Sequence, residues 1–282
     1  MPKDLRGGYP TYWRTFGHGP REALMIHCSL SHSGAWTGLA AQLQDMLHMT
    51  AFDIPGHGRS ADWDNRADIQ AVTTSMAADF PTGPVDVIGH SFGGTVALRL
   101  AIEHPHLVRS LTLIEPVFFA VAFADHPGLR AEHDALHAPQ LSAVARGDMT
   151  AATRAFNQMW GDAAMPWDSL PQTMRDNMTK RYGAIISAGP AVDDDVGGML
   201  SSGGLERISV PTLLLEGAQS PKILGLVNQG LARRLPDTRH HVLPDSGHML
   251  PITHPVQVGA LIRSFLQNVA FQPSKTDRKV SI

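Results

Sequence analysis

Cysteine is almost missing from this chain: Cys28 is the only one in 282 residues, so no intramolecular disulfide can form. Long apolar runs are missing as well. The longest candidate, Leu111 to Ala124, is interrupted by Glu115 and Pro116 and falls short of the ~20 residues that a membrane helix needs. Met1 to Pro10 carries charges, glycine and proline but no apolar stretch of the kind a signal peptide requires. An excess of charge is lacking too. The formal net charge is −3 and no basic cluster occurs before the last few residues, so the electrostatic footprint of a nucleic-acid binder is absent. What these absences leave is a soluble, cytoplasmic protein with neither nucleic acid nor membrane as partner. They are compatible with a homo-oligomer.

What is present is apolar material, 43% of residues against 17% charged, enough to bury a core in a chain of this length. Short apolar runs alternate with helical patterns. Ala23 to Ile26, Met49 to Ile54, Val85 to Ile88, Val108 to Ile114, Thr212 to Leu215 and His241 to Leu243 read as strands. Trp36 to Leu47, Ile69 to Phe80 and Ser91 to Glu103 read as helices between them. Near-continuous apolar strands separated by helices predict an α/β fold, a mostly parallel central sheet flanked by helices on both faces.

The stretch 117–208 breaks this rhythm. It is rich in methionine and tryptophan (Met149, Met159, Trp160, Met165, Trp167, Met174) and helical in period, with no strand run. It reads as an inserted helical cap, dividing the chain into a core of 1–116 and 209–271, a cap of 117–208 and a polar, basic tail of 272–282 that frays. Apolar stripes of this kind serve equally to pack such a cap onto the sheet.

The segment with most chemistry in it is Val85-Asp86-Val87-Ile88-Gly89-His90-Ser91-Phe92-Gly93-Gly94, a G-x-S-x-G string between a buried strand and a helix. A serine on a sharp strand-to-helix turn is exposed to substrate at a helix N-terminus, and the crowded turn leaves no room for side chains at Gly89 and Gly93. Ser91 is therefore the candidate nucleophile.

Three further segments stand in a telling order: Ile26-His27-Cys28-Ser29-Leu30, Asp53-Ile54-Pro55-Gly56-His57-Gly58-Arg59-Ser60, and Asp245-Ser246-Gly247-His248 followed by His254-Pro255. Together with the serine turn they make residues 10 to 270 resemble the α/β-hydrolase family. The resemblance implies that His248 is the general base and that the backbone N–H of Phe92 is one oxyanion donor. Aligning His27-Cys28 with the family's H-G makes Ser29 the second donor and Leu30 the fallback. Cys28 stands where glycine is usual and has no base placed for it, so it reads as a small buried residue.

The acid of the triad departs from the family's commonest pattern. Where most members carry an aspartate this chain has Ser220, in Gly217-Ala218-Gln219-Ser220, and a hydroxyl cannot answer an imidazolium as a carboxylate does. Some relatives, certain haloalkane dehalogenases among them, carry the acid at the end of the strand before the cap. Here that strand ends Leu113-Ile114-Glu115-Pro116, at the edge where open α/β sheets form their sites, so Glu115 is the candidate acid. Glu216 and the cap aspartates Asp193, Asp194 and Asp195 are the alternatives.

A serine nucleophile argues against dehalogenase and epoxide-hydrolase chemistry, whose representatives in this family use aspartate at that point. Acyl transfer to water remains, on a carboxylic ester or lactone of a small-molecule substrate. Phe118, Phe119, Trp160 and Trp167, with Phe123, are the candidates for holding an apolar acyl side under the cap. An amidase, a thioesterase, a perhydrolase, a C–C bond hydrolase or a non-catalytic receptor on the same scaffold would read much alike. No cofactor is implied. His133 and His137 have helical i, i+4 spacing, but as a lone histidine pair they read as surface residues rather than metal ligands.

Overall fold

Strands whose side chains are apolar on both faces belong in the middle of a sheet covered above and below. The computed structural model, which describes residues 4–162 and 165–271, has them there. The expected tail of 272–282 lies outside the described residues. In chain order the strands are β1 (Asp4–Arg6), β2 (Tyr9–Thr11), β3 (Trp13–Phe16), β4 (Arg21–Ile26), β5 (Leu47–Phe52), β6 (Val85–His90), β7 (Val108–Ile114), β8 (Thr212–Gly217) and β9 (Thr238–Leu243). The last seven of these form one sheet in the order β3-β5-β4-β6-β7-β8-β9, parallel throughout except for β3 at the edge.

Between them run α1 (Thr37–Leu43), α2 (Ile69–Ala78), α3 (Phe92–Glu103), α4 (Phe119–Asp125), α5 (Leu129–Ala145), α6 (Met149–Trp160), α7 (Gln172–Asp193), α8 (Lys222–Arg234), α9 (Leu250–Thr253) and α10 (Pro255–Gln267). One face of the sheet is covered by α1 and α10 through Leu39, Leu43, Val258 and Ile262. The other is covered by α2, α3 and α8 through Met76, Val96, Leu100 and Val227. Helix ends follow local chemistry. Asp68 opens α2 by accepting from the Gln70 amide, Asp148 opens α6 by accepting from Ala151, and Pro255 stands at the first position of α10.

The expectations for the sheet need adjustment at its edges. β1, β2 and β3 carry no sequence signal because they are only three or four residues long, and β1 and β3 are only partly buried. β5 ends two residues before Ile54, because the chain turns at Asp53, whose carboxylate accepts the amides of Ser33 and Arg59. α1 is shorter than Trp36–Leu47, since Leu47 already begins β5. β9 starts three residues before His241, with exposed Arg239 and His240 that no apolar pattern would mark.

The inserted region between β7 and β8 is helical, α4 to α7, with no strand among its described residues. α4 belongs to the main core: Phe118, Val121 and Ala122 are fully buried within it. α5, α6 and α7 meet in a small cluster of their own around Ala143, Ala152 and Tyr182, and Trp160, Ala184, Ala188 and Val192 tie α6 and α7 to the main core.

At the end of the sheet remote from Ser91, the Asp86 carboxylate accepts two hydrogen bonds from Arg21 (2.9 and 3.0 Å), two from Arg109 (3.0 and 2.7 Å) and one from Ser110 (2.8 Å). Burial pushes this carboxyl up, but the two guanidinium groups outweigh it and hold it below its ordinary value. Replacing Asp86 with Ala strands two cations, one of them buried, and is expected to cost about 3–5 kcal/mol in urea unfolding. A loss below about 1 kcal/mol would mean the cluster is not the clamp described here.

Candidate active site

Ser91 joins β6 to α3 with φ 55° and ψ −119°, a left-handed conformation that a side-chain-bearing residue adopts at a cost of about 1–3 kcal/mol. The turn is held by its neighbours. The Ser91 amide donates to the Ile114 carbonyl at 2.9 Å, and the Ser91 carbonyl accepts from Gly94 at 2.9 Å. A Cβ at Gly93 would stand 2.1 Å from the Ile26 carbonyl oxygen, and one at Gly89 would stand 2.4 Å from that of Gly93. The two glycines are what let the turn pass between β4 and α3.

His248 follows β9, and its ring meets a group on either side. Its Nε2 lies 3.0 Å from Ser91 Oγ and its Nδ1 lies 2.7 Å from Glu115 Oε2. Glu115 is fully buried, and its second oxygen, Oε1, accepts the Gly217 amide at 2.6 Å. Its backbone has φ 44°, so the chain is bent at the end of β7 just as it is at the end of β6. With the carboxylate on Nδ1, the ring carries its proton there and presents a free lone pair to Ser91. His90, inside the serine motif, donates from Nε2 to the His248 carbonyl at 2.8 Å, and burial pushes its own imidazole far down, so it stays neutral.

A second set of buried histidines shapes the loop after β4. His27 Nε2 accepts the Ile54 amide at 3.1 Å while its Nδ1 donates to the Cys28 carbonyl at 2.7 Å. His57 Nε2 accepts the Leu30 amide at 3.0 Å while its Nδ1 donates to the Pro55 carbonyl. The Leu30 amide is therefore committed to His57, which removes it as a fallback oxyanion donor. The amide of Phe92, first residue of α3, has no intrahelical acceptor, as at any helix start. Ser29 and Phe92 both line the space beside Ser91. His27 and His57 both stand in the segments that carried the family resemblance. Their part in holding the loop was not drawn from the sequence.

Two cavities open at Ser91. The larger, about 520 Å³, is walled by His248, Met249, Met174, Met178 and Arg181. The smaller, about 200 Å³, is walled by Ser29, Phe92, Val117, Phe119, His133 and Tyr182 among others, and His248 does not reach it. Trp160 and Phe156 line both, and the Trp160 ring stands edge-on to His248 at 5.4 Å.

The four aromatic candidates therefore part company. Trp160 and Phe119 line cavity walls. Phe118 does not: it points into the main core under α4 and is fully buried. Trp167 lines neither cavity and packs away in the short turn before α7. His133 corrects the reading as a surface residue, being 6% exposed and stacked among Phe119, Phe123 and His137.

The alternative acids lie elsewhere. Glu216 pairs with His240 at 2.9 Å, Asp194 pairs with Arg130, and Asp195 accepts the amides of Met199, Leu200 and Ser201. Asp193 stands near His133 in the smaller cavity. Burial pushes the Cys28 thiol up to about 12, far from a thiolate nucleophile. No group of three His, Cys, Asp or Glu that could hold a metal ion occurs among the described residues, and no helix among them is long and apolar enough to cross a membrane.

Residues 23–261 match the model of the alpha/beta hydrolase family. A pimeloyl-(acyl-carrier protein) methyl ester esterase of Neisseria meningitidis serogroup A is 28% identical over 262 residues, covering 90% of this chain and 79% of that one. Lipase LipV of Mycobacterium tuberculosis is 33% identical over 258 residues, 88% of this chain and 94% of its own. Among solved structures, a putative lipase from Acinetobacter baumannii superposes with a TM-score of 0.71 at 22% identity, covering 95% and 91% of the two chains. A thermophilic esterase from Thermogutta terrifontis superposes at 0.69 with 20% identity, covering 93% and 94%. At those identities the two structures attest the fold.

The buried histidines set an acid limit. Burial holds His27 down at about 4 and His57 at about 3, with His90 lowered as well. Unfolded, each would titrate near its ordinary value of about 6.5. The unfolded chain thus binds more protons below that pH, and stability, complete above it, falls as pH drops toward the folded values. The free energy of urea unfolding is expected to decline between about pH 6.5 and 5, by at most about 1.4 kcal/mol per pH unit for each imidazole that stays neutral. A flat profile across that window would contradict the neutral, buried state of these rings.

Proposed function

The chain belongs to the alpha/beta hydrolase family, of the esterase and lipase type, and from that premise we propose that it hydrolyses a carboxylic ester through an acyl-serine intermediate. The observation that carries the proposal is the hydrogen-bonded line from Ser91 Oγ through both ring nitrogens of His248 to the buried Glu115 carboxylate.

In this reading Ser91 Oγ attacks the ester carbonyl and gives its proton to His248 Nε2. The charge that develops on the carbonyl oxygen is held by the amides of Phe92 and Ser29. Glu115 keeps the ring in the right tautomer and balances the imidazolium. The departing alcohol takes the proton back from Nε2, and water repeats the sequence to release the acid.

The two cavities then take different arms of the substrate. An alcohol that must collect a proton from His248 leaves on the side that His248 walls, which is the larger cavity. The acyl arm is left with the smaller one. Arms parted on either side of Ser91 suit an open-chain ester better than a lactone, whose ring keeps them together.

Ser91→Ala is expected to lower kcat by roughly 10³-fold or more on a nitrophenyl ester, with the fold retained, and to abolish labelling by a fluorophosphonate. Glu115→Gln, which keeps the size and loses the charge, should cost about 10²-fold or more, whereas Ser220→Ala should be nearly silent. A Ser91→Ala enzyme retaining a tenth of the wild-type rate would overturn the nucleophile. Near-normal turnover by Glu115→Gln would overturn the acid. A wild-type protein that takes no label would point to a receptor on a hydrolase scaffold.

The wall shared by the cavities gives a separate expectation. Trp160→Ala merges them and should shift acyl preference toward longer chains, whereas Trp167→Ala, which borders neither, should leave preference alone. Equal chain-length profiles for wild type and Trp160→Ala would remove Trp160 as the divider.

A further inference from the structure

Arg181 is the only lysine or arginine among the described residues that line the two cavities at Ser91. It sits on α7, whose face toward the larger cavity is split along its length. Thr173, Asn177 and Arg181, spaced by four, make a polar stripe, and Met174 and Met178 make an apolar one beside it. The guanidinium is fixed without being neutralised. It donates to the Gly58 carbonyl at 3.2 Å and, at 3.5 Å, to the Asn177 carbonyl one turn back, both uncharged acceptors. Among the described residues it has no ion pair, and its Nε has no partner yet is not buried. Nearby carboxylates do not take it. Asp53 accepts the amides of Ser33 and Arg59 at 2.6 and 2.7 Å and pairs with no cation. Asp62 pairs with Lys180, the preceding residue of the helix, at 3.1 Å. Asp162, the one carboxylate among the described residues of the cavity wall, does not pair with Arg181. His32, in the same wall, registers the surplus of positive charge: burial pushes its imidazole down, Asp53 opposes, and Arg14, Arg181 and Arg59 add to the lowering.

We propose that Arg181 determines specificity by making the larger cavity a subsite for an alcohol arm with an apolar body and an anionic end, a carboxylate or a phosphate. The substrate is then an ester of a hydroxy acid or of a comparable anionic alcohol. The inference rests on the reading of Ser91 as acyl-forming nucleophile and of the larger cavity as the alcohol side. A guanidinium has five N–H donors and no acceptor, and an anion answers it with charge-assisted bonds that a neutral group cannot make. The tether to Gly58 holds the side chain in place, so binding costs it less freedom than a loose surface arginine would lose. The methionines are flexible and polarisable, and they accept apolar bodies of differing shape, leaving the choice to the end of the arm. The volume of about 520 Å³ allows both parts, since a cavity of about 150 Å³ already holds a benzene ring. A cationic end would meet Arg181 as a like charge.

The test compares acetate esters, which share one acyl arm and differ in the alcohol. The carboxylates 4-acetoxybutyrate, 6-acetoxyhexanoate and 8-acetoxyoctanoate are set against their carboxamides, which have nearly the same shape and no charge. 6-Acetoxyhexyl phosphate supplies the other anion and 6-acetoxyhexyl-trimethylammonium a cation. In the wild type the carboxylate of at least one pair, or the phosphate against the six-carbon amide, should have a kcat/KM about tenfold higher, a modest figure because Arg181 is only partly buried. Arg181→Gln should bring that ratio toward one, and Arg181→Lys should keep part of it, because the charge makes the choice. A role confined to holding Gly58 would change all the esters alike and leave the ratio where it was. Amides equal to or better than every anion would overturn the proposal, as would a preference for the cation, a ratio unmoved by Arg181→Gln, or equal loss in both variants. Ethyl hydrogen adipate against its amide carries the carboxylate on the acyl arm instead. A preference there and none among the acetates would overturn the assignment of the arms, and this subsite with it. Acetate hydrolysis that does not depend on Ser91 would instead bring down the acyl-serine reading.

Discussion

A carboxylate with no exposure to water has to find its charge answered inside the protein, and that of Glu115 finds it in two directions. One oxygen takes the Gly217 amide at the end of the neighbouring strand, and the other takes the Nδ1 proton of His248. The rest of the edge is arranged around that arrangement. β7 has to end in a left-handed bend so that the side chain turns toward β8, and β8 has to end in a residue that can bring its amide this close. The ring of His248, fixed from behind, is fixed again through its own carbonyl by His90. What is left for it to face is Ser91, held in a conformation that its neighbours impose.

The central strands were legible in the sequence because burial on both faces writes itself as an unbroken apolar run. β1, β2 and β3 were not, because a strand of three or four residues is too short to leave a pattern. The residues that meet at the strand ends were legible for a related reason. Sharp turns next to buried strands need glycine, and the G-x-S-x-G and G-H segments point to Ser91 and His248, while Glu115 is the carboxylate that an apolar strand runs into. The pocket was not legible. Phe118 and Phe119 are neighbours in sequence, yet one faces the core and the other a cavity, because the start of α4 turns the chain between them. His133 looked like a surface residue because its partners, Phe119, Phe123 and Asp193, are brought to it only by the packing of α5 on α4 and α7.

The helical insertion divides its labour along its length. α4 is cemented into the main core, whereas α5, α6 and α7 share a small cluster of their own, join the main core through Trp160, Ala184, Ala188 and Val192, and supply most of the cavity walls. A substitution in α4 is thus felt through the sheet. One in the later helices, away from Trp160, Ala184, Ala188 and Val192, alters the shape and polarity of a space. Such an arrangement lets one core serve a range of ligands, since most of the walls that recognise lie outside the strand ends that react.

Ser220 stands one turn beyond β8 with a buried hydroxyl that has no partner among the described residues. Its strand and that of Glu115 are adjacent and in register, Ile114 beside Leu215. Two neighbouring strand ends can therefore each offer a place for one acid. That gives a lineage a way to move the charge without ever doing without it. A chain that gained an aspartate at 220 while still holding Glu115 would have a duplicate, and losing either one afterwards would leave a working sequence.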